Sequence, residues 1–239
     1  MDGRTVDQAL RAELLRRAAR DQEARQALHG ADEQGYEAGQ RAAVHMGEVD
    51  ADNTAWLRDV VDRHGWPGTS LAGEDGANAA WLLVQHADRD PGFQRRCLDQ
   101  LAEAVRRGEG SARDLAYLTD RVLLAEGAEQ EYGTQMRTTP SGYVPRRLRD
   151  PATVDERRAR VGLGPIAGYT AFMAEHRPPR PNSFPCHACG ATIEFWQPEN
   201  DEPLDLTCAG CGVTITLTSG PPGEEPPDSL GAPAREDGP

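Results

Sequence analysis

Four cysteines near the carboxyl end of the chain form two C-x-x-C pairs, with eighteen residues between the pairs. This spacing is typical of a zinc ribbon, in which each pair lies in a tight turn and four thiolates surround one ion. Each pair is followed by a glycine, Gly190 or Gly212, that can take a positive φ in such a turn. A four-thiolate site has no open coordination position, so the predicted role of the zinc is structural. The predicted ligands are Cys186, Cys189, Cys208 and Cys211.

A second group of residues with possible chemistry comes from the middle of the chain. His86 shares a predicted helix face with apolar residues, and Asp120 and Arg121 lie inside a strongly apolar predicted helix, so we expect all three to be partly buried. In the catalytic hypothesis His86 is the general acid or base, Asp120 orients it, and Arg121 helps to bind an anionic or amide-bearing ligand. The further predicted ligand-binding residues are Gln85, Asp88, Gln130, Tyr132 and Gln135.

The same polar residues have a structural alternative, in which they form an internal hydrogen-bond network that only fixes helix packing. A solvent-reachable cavity around His86, Arg121 and Gln135 would favour an enzyme, whereas a sealed network would favour a scaffold. Trp66 and Cys97 are interpreted structurally as well. Trp66 is expected to be a core or hinge aromatic, and Cys97 an inert buried thiol.

The composition excludes several reaction classes. The net charge is −13, and all 26 basic residues are arginine because the chain contains no lysine. Without lysine there is no Walker A phosphate loop, no pyridoxal Schiff base and no lysine general base. No G-x-S-x-G, H-E-x-x-H or G-x-G-x-x-G stretch appears either, so the sequence excludes most of the known motif-based activities.

The charge of the predicted ribbon also argues against nucleic-acid binding. Residues 181–220 contain five acidic residues and no arginine or lysine, whereas binding to phosphates depends on basic side chains. We expect a protein partner instead, docked through Phe195, Trp196 and Leu217 if these side chains are exposed.

The sequence gives no indication of a membrane or secreted protein. No apolar run approaches the roughly 18 to 20 residues that a membrane span needs, and the first residues lack the apolar region of a secretory signal. The predicted location is cytoplasmic, where thiols stay reduced, and this favours a metal site over disulfides.

Hydrophobic periodicity and cap residues predict the elements that must position these groups. Predicted helices cover residues 4–28, 52–64, 75–87, 91–107, 111–126, 150–160 and 165–174, and a short hairpin lies within 136–144. Residues 29–49 are rich in glycine and acids and are predicted to be a loop with about one helical turn. The fold class is therefore mainly α. The predicted units are a multi-helix domain over residues 4–175, a small β zinc ribbon over 182–219, and a disordered acidic tail over 220–239.

Several short strings are similar to motifs of a bacterial family of unknown function. They are residues 65–67 (GWP), 85–88 (QHAD), 116–121 (AYLTDR), 132–135 (YGTQ) and 154–158 (VDERR). The resemblance covers residues 8–175 approximately and implies a mainly helical fold with no assigned reaction. The zinc ribbon lies outside it and looks like a separate addition. Two hypotheses remain: a zinc-binding interaction protein with a helical scaffold, or an enzyme of unknown reaction centred on His86, Asp120 and Arg121.

Overall fold

The computed structural model of the protein describes residues 5–31, 35–176, 178–196, 198 and 203–217. Within these ranges the chain is mainly α-helical, which confirms the predicted fold class. Long helices come first, a β-hairpin and two shorter helices follow, and small antiparallel hairpins carry the cysteines. The long helices are α1 (Gln8–Ala31), α2 (Tyr36–His64), α3 (Thr69–Gln85), α4 (Pro91–Arg106) and α5 (Ala112–Ala125).

The long helices bury their apolar faces in one core. Helix α1 packs against α2 and α3, and α4 packs against α5. Each helix contributes a fully or almost fully buried leucine, and burial of such side chains is the main favourable term in folding. These residues are Leu14, Leu57, Leu83, Leu101 and Leu118. The core fixes the end of α3, where the predicted residues Gln85 and His86 lie.

Local hydrogen bonds start two of these helices where the sequence predicts. The side chain of Asp90 accepts a bond of 3.0 Å from the backbone N–H of Phe93, and Pro91 occupies the first turn of α4. The hydroxyl of Ser111 accepts a bond of 3.2 Å from the backbone N–H of Asp114 at the start of α5. Both caps satisfy donors that the first helical turn leaves unpaired.

The prediction of a loop over residues 29–49 is wrong. Helix α1 continues to Ala31 and α2 begins at Tyr36, so the predicted helix start at residues 52–53 lies inside α2. A glycine in this stretch explains the error. A Cβ on Gly47 would lie 2.9 Å from Nη2 of Arg89, so this glycine allows an arginine to pack against the helix and does not end it.

Helix α3 also begins earlier than predicted. It starts at Thr69 and has a kink at Gly73, whose φ of 74° only glycine adopts without strain. The kink separates the first turn from the regular helix that the sequence predicts from residue 75.

A small hairpin and two short helices complete the helical part of the chain. Strands β1 (Met136–Thr139) and β2 (Gly142–Pro145) pair antiparallel, as predicted. A 3₁₀ turn (Pro151–Thr153) leads into α6 (Val154–Arg160), and α7 (Ile166–His176) follows and contacts β2.

The four cysteines lie in a separate pair of hairpins, which we call the cysteine unit (residues 182–217). Strands β3 (Asn182–Pro185) and β4 (Thr192–Phe195) form the first hairpin, and β5 (Leu204–Thr207) and β6 (Thr214–Leu217) form the second. Cys186, Ile193 and Cys208 are buried together, so the two hairpins share one small core.

The predicted disordered tail over residues 220–239 lies outside the described residues. No helix in the described ranges combines the length and the apolar character that crossing a membrane requires.

Candidate functional site

The structure does not bring the predicted polar residues of the helical part into one cluster. They are distributed over three places, each with its own partners. His86 lies at the end of α3 beside α1. Gln85, Asp88 and Arg121 meet where α3 and α5 approach each other. Asp120, Gln130, Tyr132 and Gln135 lie around the loop that follows α5.

His86 contacts two residues of α1 that the sequence reasoning did not select. Its Nδ1 lies 2.8 Å from Oδ1 of Asp21, whose side chain is 1 % exposed. Nε of Arg25 lies 3.0 Å from the same Nδ1 and 3.3 Å from Oδ2 of Asp21. The predicted contact between His86 and Asp120 is therefore wrong, and Asp21 occupies the orienting position instead.

The electrostatics of this contact decide which ring nitrogen carries hydrogen. Burial favours a higher pKa for Asp21, but the hydrogen bond to His86 and the charge of Arg25 outweigh it and hold the pKa below its usual value. Asp21 is then a carboxylate at neutral pH, and a carboxylate can only accept hydrogen bonds. Nδ1 of His86 must donate to it, so Nε2 is the ring nitrogen that remains free. With a hydrogen on Nδ1, the N–H groups of Arg25 bind the carboxylates instead.

Asp50 completes the group around Arg25. Nη2 of Arg25 lies 2.7 Å from Oδ1 of Asp50, and burial raises the pKa of Asp50 above its usual value. Asp21, Asp50 and His86 offer ligand atoms within 4.8 Å of one another, the spacing that a metal site requires. A cation is already present, because the guanidinium of Arg25 contacts all three residues. The guanidinium of Arg25 thus offsets one of the two carboxylate charges of the group.

His86 and Asp50 line a cavity of about 460 Å³, which we call the His86 pocket. Two arginines line it as well. Arg58 forms an ion pair with Asp90, whereas Arg89 forms no ion pair or hydrogen bond with any residue in the described ranges. Arg89 lies over Gly47 at this wall. The pocket lining therefore contains His86, three carboxyl groups (Asp50, Asp88 and Asp90) and two arginines, of which Arg89 is unpaired within the described ranges.

Arg121, Asp88 and Gln85 form a clamp between helices. Nη1 of Arg121 lies 2.7 Å from both carboxylate oxygens of Asp88, and Nε of Arg121 donates to Oε1 of Gln85 at 3.2 Å. Buried Gln94 adds bonds from its Nε2 to Oδ1 of Asp88 (3.1 Å) and to the carbonyl of Val84 (3.0 Å). These contacts join the end of α3 to α4 and α5. Asp88 also lines the His86 pocket, whereas Arg121 and Gln85 do not.

Asp120 holds the loop after α5. Its Oδ1 accepts from the backbone N–H groups of Glu131 (2.7 Å) and Tyr132 (3.0 Å). Its Oδ2 accepts from the backbone N–H (2.8 Å) and the hydroxyl (2.9 Å) of Thr134. Burial raises the pKa of Asp120, while these donors act in the opposite direction. The side chain is fully buried, so its observed contacts are structural.

Gln130 and Gln135 close the base of the β1–β2 hairpin. Nε2 of fully buried Gln130 donates to the carbonyls of Gln135 (2.9 Å) and Arg146 (3.0 Å). Its Oε1 accepts from the backbone N–H of Gln135 at 2.9 Å. Both the Nε2 and the Oε1 of Gln130 are thus engaged in hydrogen bonds to the backbone, and we assign this side chain a structural role.

Two residues that support this loop were missed by the sequence reasoning. Arg158 is 2 % exposed and donates from Nη1 to the carbonyl of Tyr132 at 2.7 Å and from Nε to that of Gly164 at 2.6 Å. Its guanidinium lies 5.3 Å from the ring centroid of Tyr169. Thr134, which binds Asp120, is the other. An arginine in a charged stretch such as residues 154–160 gives no sequence signal that separates a buried side chain from a solvated one.

The four cysteine sulfurs converge on one point. Sγ of Cys186 lies 3.6 Å from Sγ of Cys211, and Sγ of Cys189 lies 3.6 Å from Sγ of Cys208. All four lie within 4.8 Å of one another, so they could hold a metal ion. These S···S distances are too long for disulfides, in which the sulfurs are about 2.05 Å apart.

The two cysteine turns have the same backbone pattern. Gly190 donates to the carbonyl of Cys186 (2.8 Å) and Gly212 to that of Cys208 (2.9 Å). Both glycines have positive φ, 74° and 76°, as the sequence predicts. The turns are thus formed by the backbone, and each places two sulfurs on the same side.

One sequence signal could have identified Asp21. The buried residues of α1 include Leu14, Arg17, Asp21 and Ala24, which repeat at the helical period. An acid in the apolar row of a helix must find a partner, so its position predicts a buried ion pair. Asp50 had no such signal, because it lies between the predicted loop over residues 29–49 and the predicted helix start at residues 52–53.

The fold and the site define a helical protein with an appended four-cysteine unit. A family model described as "Family of unknown function (DUF6624)" matches residues 8–177 of the chain. The chain belongs to this family, which confirms the resemblance to a family of unknown function. The match ends before the cysteine unit. Comparison with curated proteins and with solved structures found no match.

Proposed function

We propose that the helical part of the chain binds a small anionic ligand in the His86 pocket and acts on it by general acid–base catalysis, and that the cysteine unit binds one structural zinc ion. One observation carries the first part. His86 contacts buried Asp21 at the wall of a pocket that also contains the unpaired Arg89.

In this proposal His86 exchanges a proton with the ligand through Nε2. Asp21 fixes the ring orientation and keeps the hydrogen on Nδ1, as carboxylates do beside catalytic histidines. Asp50 is one of three carboxyl groups that line the pocket; the other two, Asp88 and Asp90, are paired with Arg121 and Arg58. The environment lowers the pKa of Asp21 and raises that of Asp50, and such a divergence of neighbouring carboxyl groups is typical of acid–base sites.

Arg89 is assigned to ligand binding. A guanidinium without a protein partner can bind a carboxylate or a phosphate through two parallel hydrogen bonds. Gly47 supports this role, because any side chain at that position would displace the guanidinium from the helix surface. The ligand therefore carries an oxyanion.

The zinc proposal rests on the chemistry and geometry of the sulfurs. A tetrahedral zinc ion with Zn–S bonds of about 2.3 Å separates its sulfurs by about 3.8 Å. The Sγ···Sγ distances between Cys186 and Cys211 and between Cys189 and Cys208, both 3.6 Å, fit this value. Since four thiolates fill the coordination sphere, the zinc joins the two hairpins and takes no part in turnover.

Docking of a protein partner by the cysteine unit stays a prediction. Phe195, Trp196 and Leu217 are half-buried, so parts of their apolar surface are accessible within the described residues. An acidic surface around them would favour a partner with basic groups.

The ligand proposal is tested with the full-length protein and a panel of oxyanions: inorganic phosphate, phenyl phosphate, succinate and citrate. At least one should raise the melting temperature of the wild type and bind saturably in calorimetry. Arg89→Gln should weaken that binding about tenfold or more, because it removes the charge that contacts the ligand. Arg160→Gln is the matched control, since Arg160 is 74 % exposed and lies on α6.

The catalytic part is tested on the oxyanion that binds. NMR spectra of the mixture should show slow conversion of the ligand by the wild type and none by His86→Asn, while the variant still binds. The proposal is abandoned if no oxyanion of the panel binds, or if Arg89→Gln binds as tightly as the wild type.

A further inference from the structure

A second cavity lies on another side of the helical part, between α3, α5 and the turn that follows α2. Its volume is about 1080 Å³, and it shares no lining residue with the His86 pocket. We call it the Trp81 cleft. One face of α3 contributes Glu74, Asn78 and Trp81, which repeat at the helical period, and α5 contributes Asp114 and Tyr117. A cavity of this size can enclose a small organic molecule.

Two aromatic rings form a corner of the Trp81 cleft. The rings of Trp81 and Tyr117 have centroids 6.0 Å apart and an interplanar angle of 81°. Nε1 of Trp81 donates to the backbone carbonyl of Asp114 at 2.9 Å, and the ring of Tyr117 meets that of Tyr169 edge to face at 6.3 Å. These contacts fix the two rings before a ligand arrives, so binding orders few side chains.

The charges above the aromatic rings distinguish the Trp81 cleft from other parts of the described chain. An arginine guanidinium lies 4.7 to 5.7 Å from the ring centroids of Trp56, Phe93 and Tyr169. Within the described ranges, no guanidinium takes such a position at Trp81 or Tyr117. The negative face of an aromatic ring attracts a cation, and proteins recognise quaternary ammonium groups in this way. The cleft therefore offers aromatic surface that a cationic ligand can use.

The charged groups of the cleft favour a cation as well. Among the described residues, its lining contains the carboxylates of Glu74, Asp75 and Asp114 and the guanidinium of Arg113. Asp75 forms an ion pair with Arg11, whose Nη2 lies 2.5 Å from its Oδ2. Neither Glu74 nor Arg113 forms an ion pair in the part of the chain that the structure describes. Since Arg11 and Arg113 offset only two of the three carboxylates, one negative charge remains.

Asp114 is a carboxylate that the protein compensates only in part. Burial raises its pKa, and the hydrogen bonds from Asn78 and Ser111 together with the charge of Arg113 do not fully offset this effect. A further positive charge nearby would stabilise the ionised form of this carboxyl group. A cationic ligand in the cleft would supply that charge.

We infer that the Trp81 cleft binds an organic cation with an alkylated ammonium group, which contacts the rings of Trp81 and Tyr117 and is balanced by the carboxylates of Glu74 and Asp114. Aromatic rings alone would accept many apolar ligands, and carboxylates alone would accept hydrated metal ions. Only a cation with an apolar surface uses both. This ligand is distinct from the oxyanion proposed for the His86 pocket, and neither proposal depends on the other.

The inference is tested by calorimetric titration of the full-length protein at low salt with choline and with acetylcholine. At least one of the two cations should bind saturably with a Kd below about 1 mM. The uncharged isostere of that cation, in which a carbon atom replaces the ammonium nitrogen, should bind about tenfold more weakly or not at all. Ammonium chloride at the same concentration should not bind, because the ammonium ion has no alkyl groups to place against the rings.

Two exposed residues of the lining give variants with opposite expected effects. Glu74→Gln removes a negative charge and should weaken binding of the cation about threefold or more. Arg113→Gln removes the positive charge and should strengthen binding by a similar factor. The matched controls are Glu23→Gln and Arg160→Gln, which change exposed residues of α1 and α6 and should bind like the wild type.

Circular dichroism should show that all four variants are folded, so that an altered affinity reports on the cleft. Any of four results would overturn the inference. These results are that neither cation binds, that the isostere binds as tightly as its cation, that the ammonium ion binds as tightly as choline, or that the folded Glu74→Gln and Arg113→Gln variants both keep the wild-type affinity.

Discussion

Asp21 and His86 are in direct contact although 65 residues separate them in the sequence, with Oδ1 of Asp21 2.8 Å from Nδ1 of His86. The contact joins α1 to the end of α3, and Arg25 of α1 contacts both residues. A carboxylate that is 1 % exposed needs these partners, because it has little access to water. The two helices are therefore connected by charge as well as by apolar packing.

We expect Asp21→Asn to destabilise the protein by about 3 kcal/mol, because it removes a buried carboxylate that binds both the Nδ1–H of His86 and the guanidinium of Arg25. Urea unfolding followed by circular dichroism measures this free energy. The control is Glu23→Gln, an exposed acid on the same helix, which should change stability by less than about 0.5 kcal/mol. Equal stabilities of the two variants would show that the Asp21 contact contributes nothing.

The same residue should make stability depend on pH. The pKa of Asp21 is below the ordinary value of 3.8, so its contribution is complete above that value and is lost as the pH falls through the folded-state pKa. The difference in unfolding free energy between the wild type and Asp21→Asn should therefore be large at about pH 6 and shrink at about pH 3. A difference that stays constant over this range would contradict the lowered pKa.

Asp120→Asn should loosen the loop that follows α5. The amide nitrogen of asparagine is a donor, so it would face backbone N–H groups that now bind a carboxylate oxygen. We expect a loss of about 3 kcal/mol in unfolding free energy. Hydrogen exchange of the Tyr132 and Thr134 amides should also be faster than in the wild type.

The matched control for Asp120→Asn is Asp59→Asn, which changes an exposed acid of α2. Its stability and its exchange rates in the loop should equal those of the wild type. If Asp120→Asn leaves the exchange of both loop amides unchanged, the loop is held by other contacts, among which those of Arg158 come first.

Elemental analysis of protein purified under reducing conditions should find about one zinc ion per chain. A variant with serine in place of Cys189 and Cys208 should bind almost none, since two sulfurs do not fill the coordination sphere. Cys97→Ala is the control and should keep the metal, because Cys97 is fully buried in the helical core and burial raises its pKa to about 12. Metal-free wild-type protein, or full zinc content in the double variant, would exclude the proposed site.

Features that depend on residues close in sequence were predictable. The caps by Asp90 and Ser111 need a partner only three residues away. The turns at Gly190 and Gly212 are set by the C-x-x-C-G pattern itself. In such cases the donor and the acceptor of the hydrogen bond lie within about four residues of each other, so a short stretch of sequence is enough to predict it.

The partners of the charged groups were not predictable in the same way. His86 and Asp120 were selected correctly as buried polar residues, but the choice of Asp21 over Asp120 as the partner of His86 depends on how α1 packs against α3. Asp50 lies at the pocket because α2 begins at Tyr36 and continues through Gly39 and Gly47. Arg89, which follows α3, packs against this part of α2 at Gly47. Partner choice between distant segments is a property of tertiary packing, which periodicity in one segment does not contain.

The two hairpins of the cysteine unit share one core, so the folding of each depends on the other. Each hairpin has strands of only four residues and is too small to persist on its own in water. Ile193 from the first hairpin packs with Cys208 from the second, so neither half has a complete interior. We therefore expect the unit to unfold cooperatively, so that a substitution that disrupts one hairpin also unfolds the other.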